Sequence, residues 1–132
     1  MEHTTHEEGD IHYLLNHITA PLSEHARHRI TEAYAVHGTP FAAYLLLEDT
    51  NPEDPAIAET FTDVYATTWD TIDQLLDNEL DALGWNDALN EFRAGQGIQP
   101  ELLTWNRPLF TAYINEVYSI IELYGQHHVF YR

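Results

Sequence analysis

The chain has 132 residues and a mass of 15.2 kDa, enough for one domain or two small units sharing a core. It sets 22 acidic residues against five arginines and no lysine, a formal charge of −17, which opposes direct binding to DNA, RNA or an anionic membrane. It has no cysteine, so disulfides, thiolate metal sites and cysteine nucleophiles are excluded; with no secretory signal and no bilayer-spanning apolar run visible, a cytoplasmic protein is expected.

Residues 1–10 show no apolar periodicity and read as a flexible tail. Asp10 to Ile18 reads as a short helix with Ile11, Leu14, Leu15 and Ile18 on one face, broken at Pro21. Ser23 is an N-cap for a helix to about His37, which Gly38 closes. Thr39-Pro40 starts the next helix, with Phe41, Tyr44, Leu45 and Leu46 turned inward. The stretch from Glu48 to Pro55 holds two prolines, four acids and no apolar residue, and reads as a hinge between subdomains.

Asp54-Pro55 opens a helix to about Tyr65. Thr67 to Asp70 reads as a capping box before an apolar run, giving a helix to about Leu83 with Gly84 as its stop. A shorter helix follows from Asn86 to Arg93, then a loop over Ala94–Gly97, then a helix from Pro108 to about Asn115. Tyr118–Leu123 and His127–Tyr131 are rich in β-branched and aromatic residues and read as a β-hairpin turning at Tyr124-Gly125-Gln126. The expected fold is α+β, mostly α-helical and elongated. A small helical subdomain over 11–52 precedes a helical subdomain with a C-terminal β-hairpin over 53–132.

Charge is the feature that bears on function. Between Arg29 and Arg93 lie 63 residues with 14 acids and no lysine or arginine. On a helix from Thr68, Asp70, Asp73, Asp77 and Asp81 fall in a stripe roughly 80° wide, opposite Trp69, Ile72, Leu75, Leu76, Leu80 and Leu83. Like charges at i, i+4 cost roughly 0.2–0.5 kcal/mol per pair, and no basic residue is interspersed to offset this. Glu59, Asp63, Asp87 and Glu91 also lack a basic neighbour in sequence. At about 1.7 Å of duplex axis per phosphate charge, 17 charges correspond to about 29 Å of DNA, the size of a small domain. Composition alone leaves two readings open: a solubility or salt-adapted surface, or a surface for a basic partner.

Other chemistry finds little footing. His25 and His28 are spaced to share a metal beside Glu24, but exposed polar histidines are the simpler reading, and no HExxH is present. Asp49, Asn51 and Glu53 occupy the first positions of a calcium loop, yet Asp54 and Thr60 stand where glycine and glutamate are required. No phosphate loop, dinucleotide fingerprint or nucleophile elbow occurs, so an enzyme is not expected, and neither a cofactor nor a resident metal is implied. Most of the tyrosines and tryptophans are expected in the core, some at an interface. Nine histidines titrating near pH 6.5 carry the formal charge from −17 toward −8 on acidification.

Phe61-Thr-Asp63-Val-Tyr65, the acidic helix, Leu83-Gly84-Trp85, Trp105 through Phe110 and the closing His128-Val-Phe130-Tyr-Arg132 together resemble the carboxy-terminal part of ArdA-type antirestriction proteins. The helices before Pro52 resemble that family's middle domain, and its first domain has no counterpart here. The resemblance implies a homodimeric DNA mimic, encoded on mobile elements, that fills the DNA groove of Type I restriction–modification enzymes. It places Asp70, Asp73, Asp77 and Asp81 on the mimicking surface, which the acids Glu48, Asp49, Glu53, Asp54, Glu59, Asp63, Asp87 and Glu91 are expected to extend. It places Tyr118, Ile120, Tyr124, Val129, Phe130 and Tyr131 near the dimer contact. The rival is an immunity- or antitoxin-type protein that binds another basic nucleic-acid-binding protein through a hydrophobic hot spot.

Overall fold

A computed structural model describes residues 2–132, with side chains from Asp10 onward. The chain is mostly α-helical and ends in a β-hairpin. The helices are α1 (Glu2–Thr19), α2 (Glu24–His37), α3 (Thr39–Leu45), α4 (Ile57–Val64), α5 (Ile72–Ala82), α6 (Trp85–Gln96) and α7 (Arg107–Val117). The strands are β1 (Tyr65–Trp69), β2 (Tyr118–Leu123) and β3 (Gln126–Tyr131).

The first helix departs from expectation. It starts at Glu2 and takes in the segment read as a flexible tail. No proline or turn sequence interrupts it before Ala20-Pro21, and Gly9 alone does not stop it. The next two helices follow their sequence signals. The Ser23 hydroxyl accepts the Ala26 N–H, satisfying one orphan donor of α2. Gly38, at φ 72°, both ends α2 and precedes the Thr39-Pro40 start of α3. Phe41 and Tyr44 are buried as expected, whereas Leu46 is exposed.

The hinge is a tied turn. Glu53 accepts the Ser23 N–H and hydroxyl, each at 2.8 Å, and its carbonyl accepts from Arg29 Nη2 at 3.1 Å. A single apolar cluster spans this turn: Ile30, Phe41 and Tyr44 from before it pack with Ile57, Phe61 and Phe130 from after it. Burial of each large apolar side chain contributes about 1.5–3 kcal/mol relative to exposure.

The central correction concerns residues 65–71. Thr67 to Asp70 does not cap a helix; Tyr65–Trp69 forms β1. The capping box lies further on, where the Thr71 hydroxyl accepts the Gln74 N–H and the Gln74 side chain accepts the Thr71 N–H. Asp70 is therefore outside α5, at the bend before it. After Gly84, at φ 76°, α6 runs through the expected loop to Gln96, with Gly97 as its C-cap.

The hairpin forms as read, with Leu123 opposite Gln126 across a two-residue loop. Tyr124 and Gly125 both take positive φ, the conformation a tight hairpin turn of this kind requires. β1 then pairs antiparallel with β3, giving the order β1-β3-β2. The sheet separates two apolar layers. Phe130, Ile121, Leu123 and Tyr65 face the cluster of α2, α3 and α4. Val129, Ile120, Tyr118 and Trp69 pack with Leu75, Leu76 and Ile114 of α5 and α7.

Candidate acidic interaction surface

Of the twelve candidate carboxylates, eleven are exposed and Asp54 is half-buried. The structure divides them into two sets. Six are engaged within the chain. Glu53 holds Ser23, Asp54 accepts the Ala56 N–H, and Asp70 accepts from Gln126 Nε2 at 3.3 Å. Asp81 accepts from Asn86 Nδ2, and Asp73 and Asp77 both pair with Arg107. The other six have no partner among the described residues: Glu48 and Asp49 after α3, Glu59 and Asp63 on α4, Asp87 and Glu91 on α6.

The stripe read from sequence is thus modified twice. Asp70 leaves it because it lies outside α5. Asp73 and Asp77, expected to lack a basic partner, share the Arg107 guanidinium, with Nη1 3.1 Å from Asp73 and Nη2 2.5 Å from Asp77. These bonds raise the Arg107 pKa above its usual range, Asp77 having the largest effect. The hydrogen bonds from Ser23 lower the Glu53 pKa below the usual carboxylate range.

Most of the remaining arginines serve backbone acceptors and leave the acids unneutralised. Arg29 reaches the Glu53 carbonyl, Arg93 the Leu103 carbonyl, and Arg132 the Tyr118 and Asn115 carbonyls. Arg27 is exposed on α2. Among the described residues only Arg107 forms an ion pair between arginine and carboxylate.

The expected dimer residues do not form one surface. Val129 and Phe130 are fully buried, because β1 covers the edge of β3 that a lone hairpin would leave open. Tyr118, Ile120 and Tyr124 are half-buried, and Tyr131 is exposed. Tyr118 donates its hydroxyl to Glu79, and burial together with that carboxylate raises its pKa. The open edges of the sheet belong to β1 and β2.

His128 is buried on the central strand. Its Nδ1 lies 2.8 Å from the Thr68 hydroxyl, which itself lies 2.6 Å from the Tyr65 hydroxyl. Its Nε2 has no partner among the described residues, and burial lowers its pKa below 6.5. His28 lies 3.1 Å from Glu32 on α2. No group of three or more potential metal ligands occurs among the described residues. No helix among them is long and apolar enough to cross a membrane.

Sequence reasoning missed a second surface feature. Trp85, Leu109 and Tyr113 are exposed, and Trp85 lies 5.9 Å from Trp105 and 6.2 Å from Phe110 between ring centroids. The signal was the run of aromatics at Trp105, Phe110 and Tyr113, which composition assigned mostly to the core. No family model, curated protein or solved structure matches the chain.

Proposed function

We propose that the protein is a non-catalytic DNA mimic that occupies the DNA groove of a Type I restriction–modification enzyme and blocks restriction in the cytoplasm. The observation that carries this reading is the exposure of eleven of the twelve candidate carboxylates, while three of the five arginines bond backbone carbonyls. A surface meant only for solubility is served by interspersed charges of both signs. Here the exposed charge is nearly all of one sign, which steers association with a basic groove and repels duplex DNA. The sequence resemblance to ArdA-type proteins supports the same target class.

The test is a restriction assay. Stoichiometric protein, added before unmodified DNA, is expected to suppress cleavage by a complete Type I enzyme and to leave a Type II nuclease unaffected. Undiminished Type I cleavage with folded protein contradicts the proposal.

A second reading has its own observation. The exposed aromatic cluster around Trp85 suits the hot spot of an immunity- or antitoxin-type protein directed at another basic protein. Loss of inhibition on Trp85→Ala, with little salt dependence, would favour that reading.

A further inference from the structure

The N-terminus of α6 and the outer face of α7 bound an open groove of about 590 Å³. Trp85, Trp105, Leu109, Phe110, Tyr113 and Glu116 line it. The rings form a continuous series. Trp85 lies against Trp105 and Phe110, and Phe110 stacks on Tyr113 with centroids 5.9 Å apart and planes 16° from parallel. Trp105 is fixed by its Nε1, which donates to Asn86 Oδ1 at 2.9 Å. Large parts of Trp85, Leu109 and Tyr113 remain open to solvent.

We infer that this groove seats an arginine side chain presented by a basic protein partner, an inference that rests on the proposed basic-partner reading. Three observations select this occupant. The lining offers several aromatic faces, which attract a cation and suit a planar guanidinium better than a compact ammonium. Among the described residues the sole charged one lining the groove is Glu116, an exposed carboxylate able to pair with the seated cation, and none is lysine or arginine. The chain around it carries a net charge of −17, so a second copy would bring repulsion to the same rim, whereas a basic segment brings attraction. The groove gives an otherwise diffuse acidic surface a defined anchoring point, as hot spots do at interfaces.

The three tryptophans supply the test. Indole N–H resonances of Trp85 and Trp105 report the groove, and that of Trp69, packed beneath the sheet, serves as an internal reference. The intact 132-residue chain is titrated with N-acetyl-argininamide, N-acetyl-lysinamide and the neutral N-acetyl-citrullinamide. The expected result is a saturable shift of the Trp85 and Trp105 signals with Trp69 unmoved. Affinity should fall about two- to five-fold for citrulline, for lysine, and for arginine on the Glu116→Gln and Tyr113→Ala variants. Glu116→Gln changes one exposed side chain, so it remains informative if an aromatic variant unfolds. Equal binding of citrulline, or parallel unsaturable drift of all three indoles, overturns the inference. Inhibition of restriction without any groove titration keeps the mimic and rejects the arginine seat. A groove titration without inhibition supports the seat and rejects the Type I target.

Discussion

Arg107 on α7 holds Asp77 on α5 at 2.5 Å, joining two helices that flank the lower layer of the sheet. The pair removes charge from the middle of the acidic stripe. Both partners are substantially exposed, so its contribution to stability is about 0–1 kcal/mol. Its larger consequence is for binding. Arg107→Gln should leave the melting temperature within a few degrees of wild type and tighten binding to a Type I methyltransferase core about two- to five-fold. Weaker binding by this variant would show that Arg107 touches the partner.

The unpartnered carboxylates should matter more than the paired ones. Glu59→Gln with Asp63→Asn removes two uncompensated charges from α4. Asp73→Asn with Asp77→Asn removes two charges already shared with one guanidinium. The first pair should weaken binding several-fold more than the second when affinities are compared at low salt. The reverse order would place the interface on α5 and not on α4.

Ser23 and Glu53 form a clasp between the start of α2 and the turn before α4. Ser23→Ala removes the N-cap bond and the hydroxyl bond to Glu53 while keeping the backbone N–H bond, and should cost about 1 kcal/mol in denaturant unfolding. The clasp also has a sign in pH. The folded-state pKa of Glu53 is depressed, so its stabilisation is present above the ordinary carboxylate value of 4.5 and is lost as pH falls from there through the folded-state pKa. Glu53→Gln should flatten the stability profile below pH 4.5, and an unaltered profile would count against the clasp.

Much of the helical architecture was legible in the sequence because its signals are local. Ser23, Gly38, Thr39-Pro40 and Gly84 each mark a boundary through a cap or turn within a few residues. β1 was not legible because its partner is β3, about 60 residues away. Thr67 and Thr68 are β-branched as well as cap-like, and only the pairing decides between strand and cap. Separation along the chain also hid the ion pair of Arg107 with Asp73, 34 residues apart. Exposure of the acids followed from residue type alone. Burial of Val129 and Phe130 depended on the third strand.

His128 should make stability fall on mild acidification. Its folded-state pKa lies below 6.5, so the unfolded chain binds the proton more readily and stability drops as pH falls below 6.5. For one proton the slope cannot exceed about 1.4 kcal/mol per pH unit. Chemical denaturation at pH 7.5 and 5.5 measures it. His128→Gln should reduce the difference, and an identical difference in that variant would assign it to other groups.

Phe130 lies at the meeting of both sides of the Glu48–Pro55 turn, with Tyr44, Phe61 and Tyr65 each about 6 Å away between ring centroids. Phe130→Ala should cost about 3–5 kcal/mol and leave one cooperative transition at a lower midpoint. Two separate transitions would show that the segments flanking the turn fold independently.

An acidic surface that stands in for duplex DNA must displace DNA from the target, and direct competition reads this out. Labelled duplex is bound to a Type I methyltransferase core, the protein is added, and DNA release is followed at about 50 mM and about 200 mM salt, a range over which phosphate-directed binding changes strongly. Stoichiometric release at low salt that fades at high salt is expected, with the protein bound in place of the DNA. Retention of DNA at low salt by the core, in the presence of excess folded protein, would contradict it.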